Sequence, residues 1–278
     1  RGRRSGSTGT GRRRRGRRTM MVGAGVFALI AGAAILGLML AQATPGWWME
    51  IDPKDPAVIE AAQRVENGAA TQLTKIRKSE PSPGSVGASE PWTIKLTASD
   101  ANAWLAARLR PWLEAQEGEK FTWPRDLERV EIEFQNGRIY VGASIRKPGE
   151  EGREDAKRQI LSAALRPELR SDGGLWMPAT WVSVGRLSLP PSWMLPRSKR
   201  EGNYAKQKRL PDPTGMLAEV PQLSDLLGAL AGERAAMQTA IIKIGDGRRV
   251  RLLGLEPKDG ALYITCQTLA REEARAGR

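Results

Sequence analysis

The chain has 278 residues, enough for one or two domains, and its formal net charge at pH 7 is +13. It contains no histidine and one cysteine, Cys266. These absences exclude Ser-His-Asp and Cys-His catalysis, histidine-ligated metal sites, an intrachain disulfide and cysteine-based zinc sites. The chain also lacks a G-x-S-x-G elbow, a P-loop and a calcium loop. We therefore expect a protein that is not an enzyme, with no catalytic residue, metal or cofactor.

The positive charge is concentrated at the N-terminus. Nine arginines lie within residues 1–18, and no acidic residue precedes Glu50. The rest of the chain carries 35 basic and 31 acidic residues, so its charge does not predict specific nucleic-acid binding. Residues 1–19 are of low complexity and predict a disordered tail. The arginines of this tail suit the anionic inner surface of a lipid bilayer.

Residues 20–41 predict a transmembrane helix, because 22 consecutive residues carry no charge. Such a helix spans about 33 Å, enough for a hydrocarbon core of about 30 Å. The arginines before it place the N-terminus in the cytoplasm and the bulk of the chain outside it. Trp47 and Trp48 are expected at the headgroup level. The sequence thus predicts a single-pass protein of the cell membrane, with residues 20–44 as the spanning segment.

Two further interpretations of this segment stay open. Ala41-Gln42-Ala43 has the pattern of a signal-peptidase site, although the apolar run exceeds the roughly 7–15 residues usual in signal peptides, which favours retention. The pairs Ala28/Gly32 and Ala33/Gly37 could let two helices approach closely and form a homo-oligomer.

A helix over 56–78 follows, with Pro56 at its first position and apolar residues at helical spacing. Residues 79–90 are a linker by composition. The segment 45–90 is therefore expected to form a stalk that stands off the membrane.

Residues 92–96 alternate as a short strand, and Thr97-x-x-Asp100 predicts the start of a helix that runs to about Ala115. Asn102 lies within this helix. It is either a site residue or, as we favour, a side chain that ties the helix to a neighbouring strand.

A hairpin is predicted at 127–146, because Asn136-Gly137 is the strongest two-residue turn signal. Counting outward from the turn places apolar pairs on one face and polar residues on the other. Glu131 and Glu133 are expected on the solvated face, where an acid–base role is the less favoured alternative. The apolar pairs are Phe134/Ile139, Ile132/Val141 and Val130/Ala143.

Residues 153–169 fit either a helix or a strand, and we favour a second hairpin, with a proline that would place its strand at a sheet edge. Asp172-Gly173-Gly174 is its turn into residues 175–184.

Residues 196–215 are predicted to form a long basic loop, and residues 222–232 a short helix. Three strands then form a meander over 237–244, 248–255 and 261–269. Cys266, in the last strand, is expected to be a packed core thiol.

These elements predict an α+β domain over residues 91–278, with an antiparallel sheet and one or two packed helices.

Three stretches resemble the YpmS-like family of bacterial membrane-anchored proteins. They are the lone N-terminal span, LTASDANAWL at Leu96–Leu105 and VSVGRLSLPPSWML at Val182–Leu195. Their order and spacing agree over about residues 92–200. The resemblance implies an extracytoplasmic domain with a binding role and without established catalytic residues.

The nine tryptophans suggest an apolar groove, although core filling is the alternative. Its expected lining is Trp104, Trp112, Trp181, Leu187, Leu189 and Trp193. The basic loop is either solvated or in contact with an anionic surface through Arg197, Lys199, Arg200, Lys206, Lys208 and Arg209.

These features favour a membrane-anchored binding module for a lipid-like ligand or an apolar segment of an envelope protein. The alternatives are a structural or assembly subunit of a membrane complex and, last, a carboxylate hydrolase.

Overall fold

The structure is a computed structural model that describes residues 29–77, 87–117, 123–124, 126–146, 158–194, 228–244 and 247–269. Its first element is helix α1 (29–42), which covers the second part of the predicted transmembrane segment. The tail and residues 20–28 lie outside the described residues. No helix in the described ranges is both long enough and apolar enough to cross a membrane. The spanning segment therefore stays a prediction.

Helix α2 (Pro56–Thr74) begins where the sequence predicts, since the Asp55 carboxylate accepts a hydrogen bond of 2.9 Å from the backbone N–H of Ala57. The helix does not stand apart as the expected stalk, because it packs against the rest of the domain. The Glu66 carboxylate accepts a hydrogen bond of 3.1 Å from the Trp104 indole. Arg248 donates to the carbonyl of Thr74 over 2.8 Å.

Strand β1 (Trp92–Thr97) and helix α3 (Ala98–Ala107) follow as predicted. The Thr97 hydroxyl oxygen accepts from the backbone N–H of Asp100 over 3.1 Å, which caps the helix. The prediction of one helix to Ala115 was wrong, because the helix ends at Arg108 (φ −122°) and α4 (Leu109–Glu117) begins after it. Of the predicted linker, residues 79–86 lie outside the described ranges, and Ala88 pairs with Leu269.

The larger sheet has five antiparallel strands in the order β2-β3-β4-β7-β8. The hairpin of β2 (Leu127–Gln135) and β3 (Arg138–Arg146) is confirmed, with Phe134 opposite Ile139. Asn136 and Gly137 adopt φ values of 51° and 71°, as a two-residue hairpin turn requires. The other strands are β4 (Arg158–Leu165), β7 (Ala179–Val184) and β8 (Leu187–Leu189).

The preference for a strand over a helix before residue 169 is confirmed by β4 within the described residues. Its expected position at a sheet edge was wrong. Strand β4 pairs with β3 on one side and β7 on the other, and Pro167 lies beyond its end. Between β4 and β7, strands β5 (Glu168–Leu169) and β6 (Leu175–Trp176) form a small hairpin around the predicted turn. The short helix α5 (Pro191–Met194) follows β8.

The second sheet has the order β1-β11-β10-β9 and contains the predicted meander. Its strands are β9 (Ile241–Lys243), β10 (Arg249–Lys258) and β11 (Ala261–Leu269). The turn before β11 uses Asp259 and Gly260 at φ values of 52° and 73°. Of the helix predicted at 222–232, residues 228–230 are helical, and residues 222–227 lie outside the described ranges.

The core lies where α3 and both sheets meet. It includes Phe134 and Ile139 from the larger sheet, Leu262 from the smaller sheet and Ala101 from α3. The fold is therefore α+β with antiparallel sheets and few helices, as the sequence predicts.

Cys266 in β11 is a packed thiol, as expected. Its side chain is 4% exposed, and burial raises the pKa of the thiol.

Candidate binding cleft

Helix α1 exposes apolar side chains that the rest of the described chain does not cover. Leu29 is 75% exposed, and Ile35, Leu38 and Met39 are each more than 60% exposed. No residue from 29 to 39 is buried. A surface of this kind is typical of a segment that meets a membrane or another protein.

The end of α1 is fastened to the turn between β7 and β8. The backbone N–H of Arg186 donates to the carbonyl of Leu40 over 2.8 Å, and the Arg186 Nε donates to that of Thr44 over 2.7 Å. The last four carbonyls of a helix have no partner from its own backbone ladder, and Leu40 supplies one of them, whereas Thr44 lies two residues beyond the helix end. The arginine charge also suits the negative end of the helix dipole.

Gly185 makes this close approach possible. Its φ is +57°, and a Cβ there would lie 2.7 Å from the carbonyl oxygens of both Leu40 and Ala43 and still closer to that of Ala41. A side chain would thus meet backbone atoms, which cannot move aside as a flexible side chain can.

After α1, the chain crosses the larger sheet as a segment that we call the strap, residues 44–54. Trp47 and Trp48 lie on the sheet face that the hairpin pattern predicts to be polar. A Cβ at Gly142 would lie 2.7 Å from the Trp47 ring and 2.9 Å from the Trp48 ring. Trp47 also contacts Tyr140, with ring centroids 6.2 Å apart. Both tryptophans are half-buried in the protein, and their expected position at the headgroup level stays a prediction.

The strap buries Glu131, whose expected position on a solvated face was wrong. The Glu131 side chain is 1% exposed. Its carboxylate accepts from the Met49 backbone N–H over 2.9 Å and forms an ion pair of 2.9 Å with Arg129. Arg129 in turn donates to the carbonyls of Met49 and Ile51, over 2.8 Å each. Desolvation by burial raises the pKa of Glu131, although the Met49 N–H and the Arg129 charge oppose it.

A cleft of about 1250 Å³ lies between the strap, the helix pair α3–α4 and the starts and ends of β2, β3 and β4. Its lining mixes apolar side chains with charges of both signs. The apolar lining includes Trp48, Ile51, Leu105, Trp123 and Ile160. The charged lining includes Glu50, Asp52, Lys54, Arg110, Glu128, Arg146 and Arg158.

Three charged residues of the cleft wall, Glu128, Arg146 and Arg158, form one ion-pair cluster. Glu128 accepts from Arg146 over 2.7 Å and lies 2.9 Å from the Nε of Arg158. The Ser144 hydroxyl also donates to Glu128, over 3.2 Å. Two guanidiniums and one hydroxyl therefore hold the Glu128 carboxylate in place on the cleft wall. In the described ranges, no three Asp, Glu or Cys residues converge as metal ligands.

The six residues expected to line one groove do not form it. Trp104 and Trp112 contact each other edge to face, with centroids 6.0 Å apart. Trp181 lies on the strap side of the sheet, under Arg138, whose guanidinium is 4.5 Å from its ring centroid. Leu187 and Leu189 pair with Val184 and Val182, so they point to the opposite face from Trp181. Trp193 lies in α5 and is 75% exposed.

The six basic residues expected to meet an anionic surface, from Arg197 to Arg209, lie outside the described residues. Sequence reasoning missed the strap, the buried Glu131–Arg129 pair and the Gly185–Arg186 turn. A glycine before an arginine, between two short strands, was the one local signal for that turn.

Comparison of the chain with protein-family models, curated proteins and solved structures finds no match.

Proposed function

We propose that the chain is a single-pass membrane protein whose α+β domain lies outside the cytoplasm and binds a partner in the cleft. The anchor is the uncharged segment 20–41, with its arginine-rich tail on the cytoplasmic side. The uncovered apolar surface of α1 supports this anchor. One observation carries the proposal: the strap that leaves α1 is also a wall of the cleft.

The cleft suits a polypeptide segment of an envelope protein better than a lipid chain. A lipid chain needs an enclosed apolar channel, whereas this cleft is open and its wall carries ion pairs at Glu128, Arg146 and Arg158. Apolar centres with Trp and Arg and a polar rim are typical of protein interfaces. Trp48, Trp123 and Leu105 are the apolar contacts that such a segment would meet.

Retention of the helix in the mature protein is part of this proposal. Residues 41 and 42 belong to α1, and the carbonyls at 40, 41 and 43 pack around Gly185. These contacts support retention of Ala41-Gln42-Ala43 in the mature chain. The YpmS-like resemblance agrees with an anchored extracytoplasmic domain and stays a prediction.

Site-specific photo-crosslinking in native membranes tests the ligand class. A photoreactive amino acid replaces Arg110 on the cleft wall, and the matched control replaces Arg64 on α2. Both arginines are 63% exposed and pair with a glutamate one helical turn away. We expect one protein adduct of defined mass from position 110 and none from position 64. A lipid adduct at position 110 would show that the ligand is a lipid and not a polypeptide. Equal labelling at both positions would refute the cleft as the binding site.

The anchor is tested separately. A reporter fused after residue 278 should be active only outside the cytoplasm, and intact-mass measurement should find the chain uncut at Ala43. A mature protein that begins at Thr44, or a cytoplasmic reporter, would refute the membrane-anchored arrangement.

A further inference from the structure

We propose that the strap couples the position of the membrane helix to the width of the cleft, so that a movement of α1 changes access for the partner. This regulation rests on the proposed function of the cleft. It requires that the strap is held at its start, that it has little slack, and that its later residues form the cleft wall.

The start of the strap is held by the β7–β8 turn. Arg186 donates hydrogen bonds to the carbonyls of Leu40 and Thr44. Gly185 has no side chain, so the carbonyls at the helix end can pack directly against its Cα. These contacts join the last turn of α1 and the residue that opens the strap to the domain, through the backbone N–H and the guanidinium of Arg186. A shift of the helix end therefore either moves the strap or breaks bonds of 2.7–2.8 Å.

The strap has little slack between this turn and the cleft. Only three residues separate Thr44 from Trp48, and both line the cleft. Four steps of extended chain reach at most about 14 Å. The rings of Trp47 and Trp48 lie on Gly142, so the strap cannot slide over the sheet without clearing these contacts.

The later strap residues are pinned by Glu131 and Arg129 and then form the cleft wall. Glu131 accepts from the Met49 N–H, and Arg129 donates to the carbonyls of Met49 and Ile51. The guanidinium of Arg129 also lies 5.2 Å from the Trp48 ring centroid. Residues 50–54 line the cleft directly after these bonds. A displacement at the helix end thus reaches the cleft through one continuous, hydrogen-bonded segment.

Distance measurement between two spin labels tests the coupling on the full chain in lipid nanodiscs. Labelled cysteines replace Lys54 on the strap wall and Arg110 on the opposite wall, while native Cys266 is buried and stays unlabelled. The test variant is Gly185→Ala. Its matched control is Gly137→Ala, because Gly137 also has a positive φ, of +71°, but a Cβ there meets nothing within 4 Å.

We expect one narrow distance distribution for the parent chain and for Gly137→Ala, and a broader or longer one for Gly185→Ala. Should Gly185→Ala fail to fold, Arg186→Ala removes the bond to the Thr44 carbonyl and keeps the backbone N–H to Leu40; we expect it to broaden the distribution too. Unchanged distances in the folded variants, or an equal change in Gly137→Ala, would overturn the coupling. The measurement needs no partner, so its result is independent of the cross-linking test of the proposed function.

Discussion

Replacing Asn102 with Ala should destabilise the domain strongly, because this side chain completes the open edge of strand β2. Asn102 is 2% exposed on α3. Its Oδ1 accepts from the Ile132 backbone N–H over 2.7 Å, and its Nδ2 donates to the Ile132 carbonyl over 2.9 Å. Strand β2 is the first strand of its sheet, so its outer backbone groups lack a neighbouring strand. The amide thus replaces one residue of a missing strand.

The size of the effect follows from the two backbone groups that Asn102→Ala leaves buried. An unsatisfied buried donor or acceptor costs about 1–3 kcal/mol, so the pair costs about 2–6 kcal/mol. A typical domain has about 5–15 kcal/mol of stability, so the loss is a large share of it. Asn102→Asp should be at least as destabilising, because a carboxylate oxygen then faces the Ile132 carbonyl without a donor between them.

The assay is urea unfolding of the full chain in mild detergent, followed by tryptophan fluorescence. Asn67→Ala is the matched control, since Asn67 is an exposed asparagine within helix α2. It should shift the free energy of unfolding by no more than about 0.5 kcal/mol. If Asn102→Ala and Asn67→Ala have the same free energy of unfolding, the edge-pairing role of Asn102 is refuted.

Three further predictions concern the core and the strap. Phe134→Ala, at a side chain that is 1% exposed, should lower the free energy of unfolding by about 3–5 kcal/mol, and a loss under 1 kcal/mol in the same urea assay would contradict its place in the core. Because burial raises the pKa of Glu131 above its ordinary value of 4.5, the folded state holds this proton more tightly than the unfolded state. Stability from this group is therefore fully present below about pH 4.5 and falls as the pH rises through the raised pKa. The parent chain should lose stability relative to Glu131→Gln as the pH rises above about 4.5, and parallel pH profiles would contradict the burial. Gly142→Ala should displace Trp47 and red-shift the tryptophan emission, whereas Gly254→Ala, whose Cβ has ordinary contacts, should not; identical spectra would show that the strap does not lie on the sheet at Gly142.

The sequence by itself determined the elements whose signals are local. Asn136-Gly137 set the hairpin register, because a two-residue turn leaves one alignment of the flanking strands. Thr97 and Asp55 marked helix starts, because a cap bonds to backbone within three residues. Asn102 was correctly expected to tie its helix to a strand. The α+β class followed from these elements, and the membrane segment stays a prediction from charge and length.

Only the tertiary structure decided which surfaces are covered. The period-two pattern of β2 places Glu131 on the face opposite the core, but it does not show that the strap lies over that face. Strand β4 is central because β3 pairs with it on the side opposite its predicted hairpin partner, β7. Trp181 and Leu187 lie on opposite faces of one sheet, and the amino-acid composition, from which the groove was expected, does not contain this information. The cleft likewise forms where the strap, α3 and α4 meet. Its charged and apolar lining therefore comes from residues that are distant in sequence. Local sequence patterns do not encode contacts of this kind.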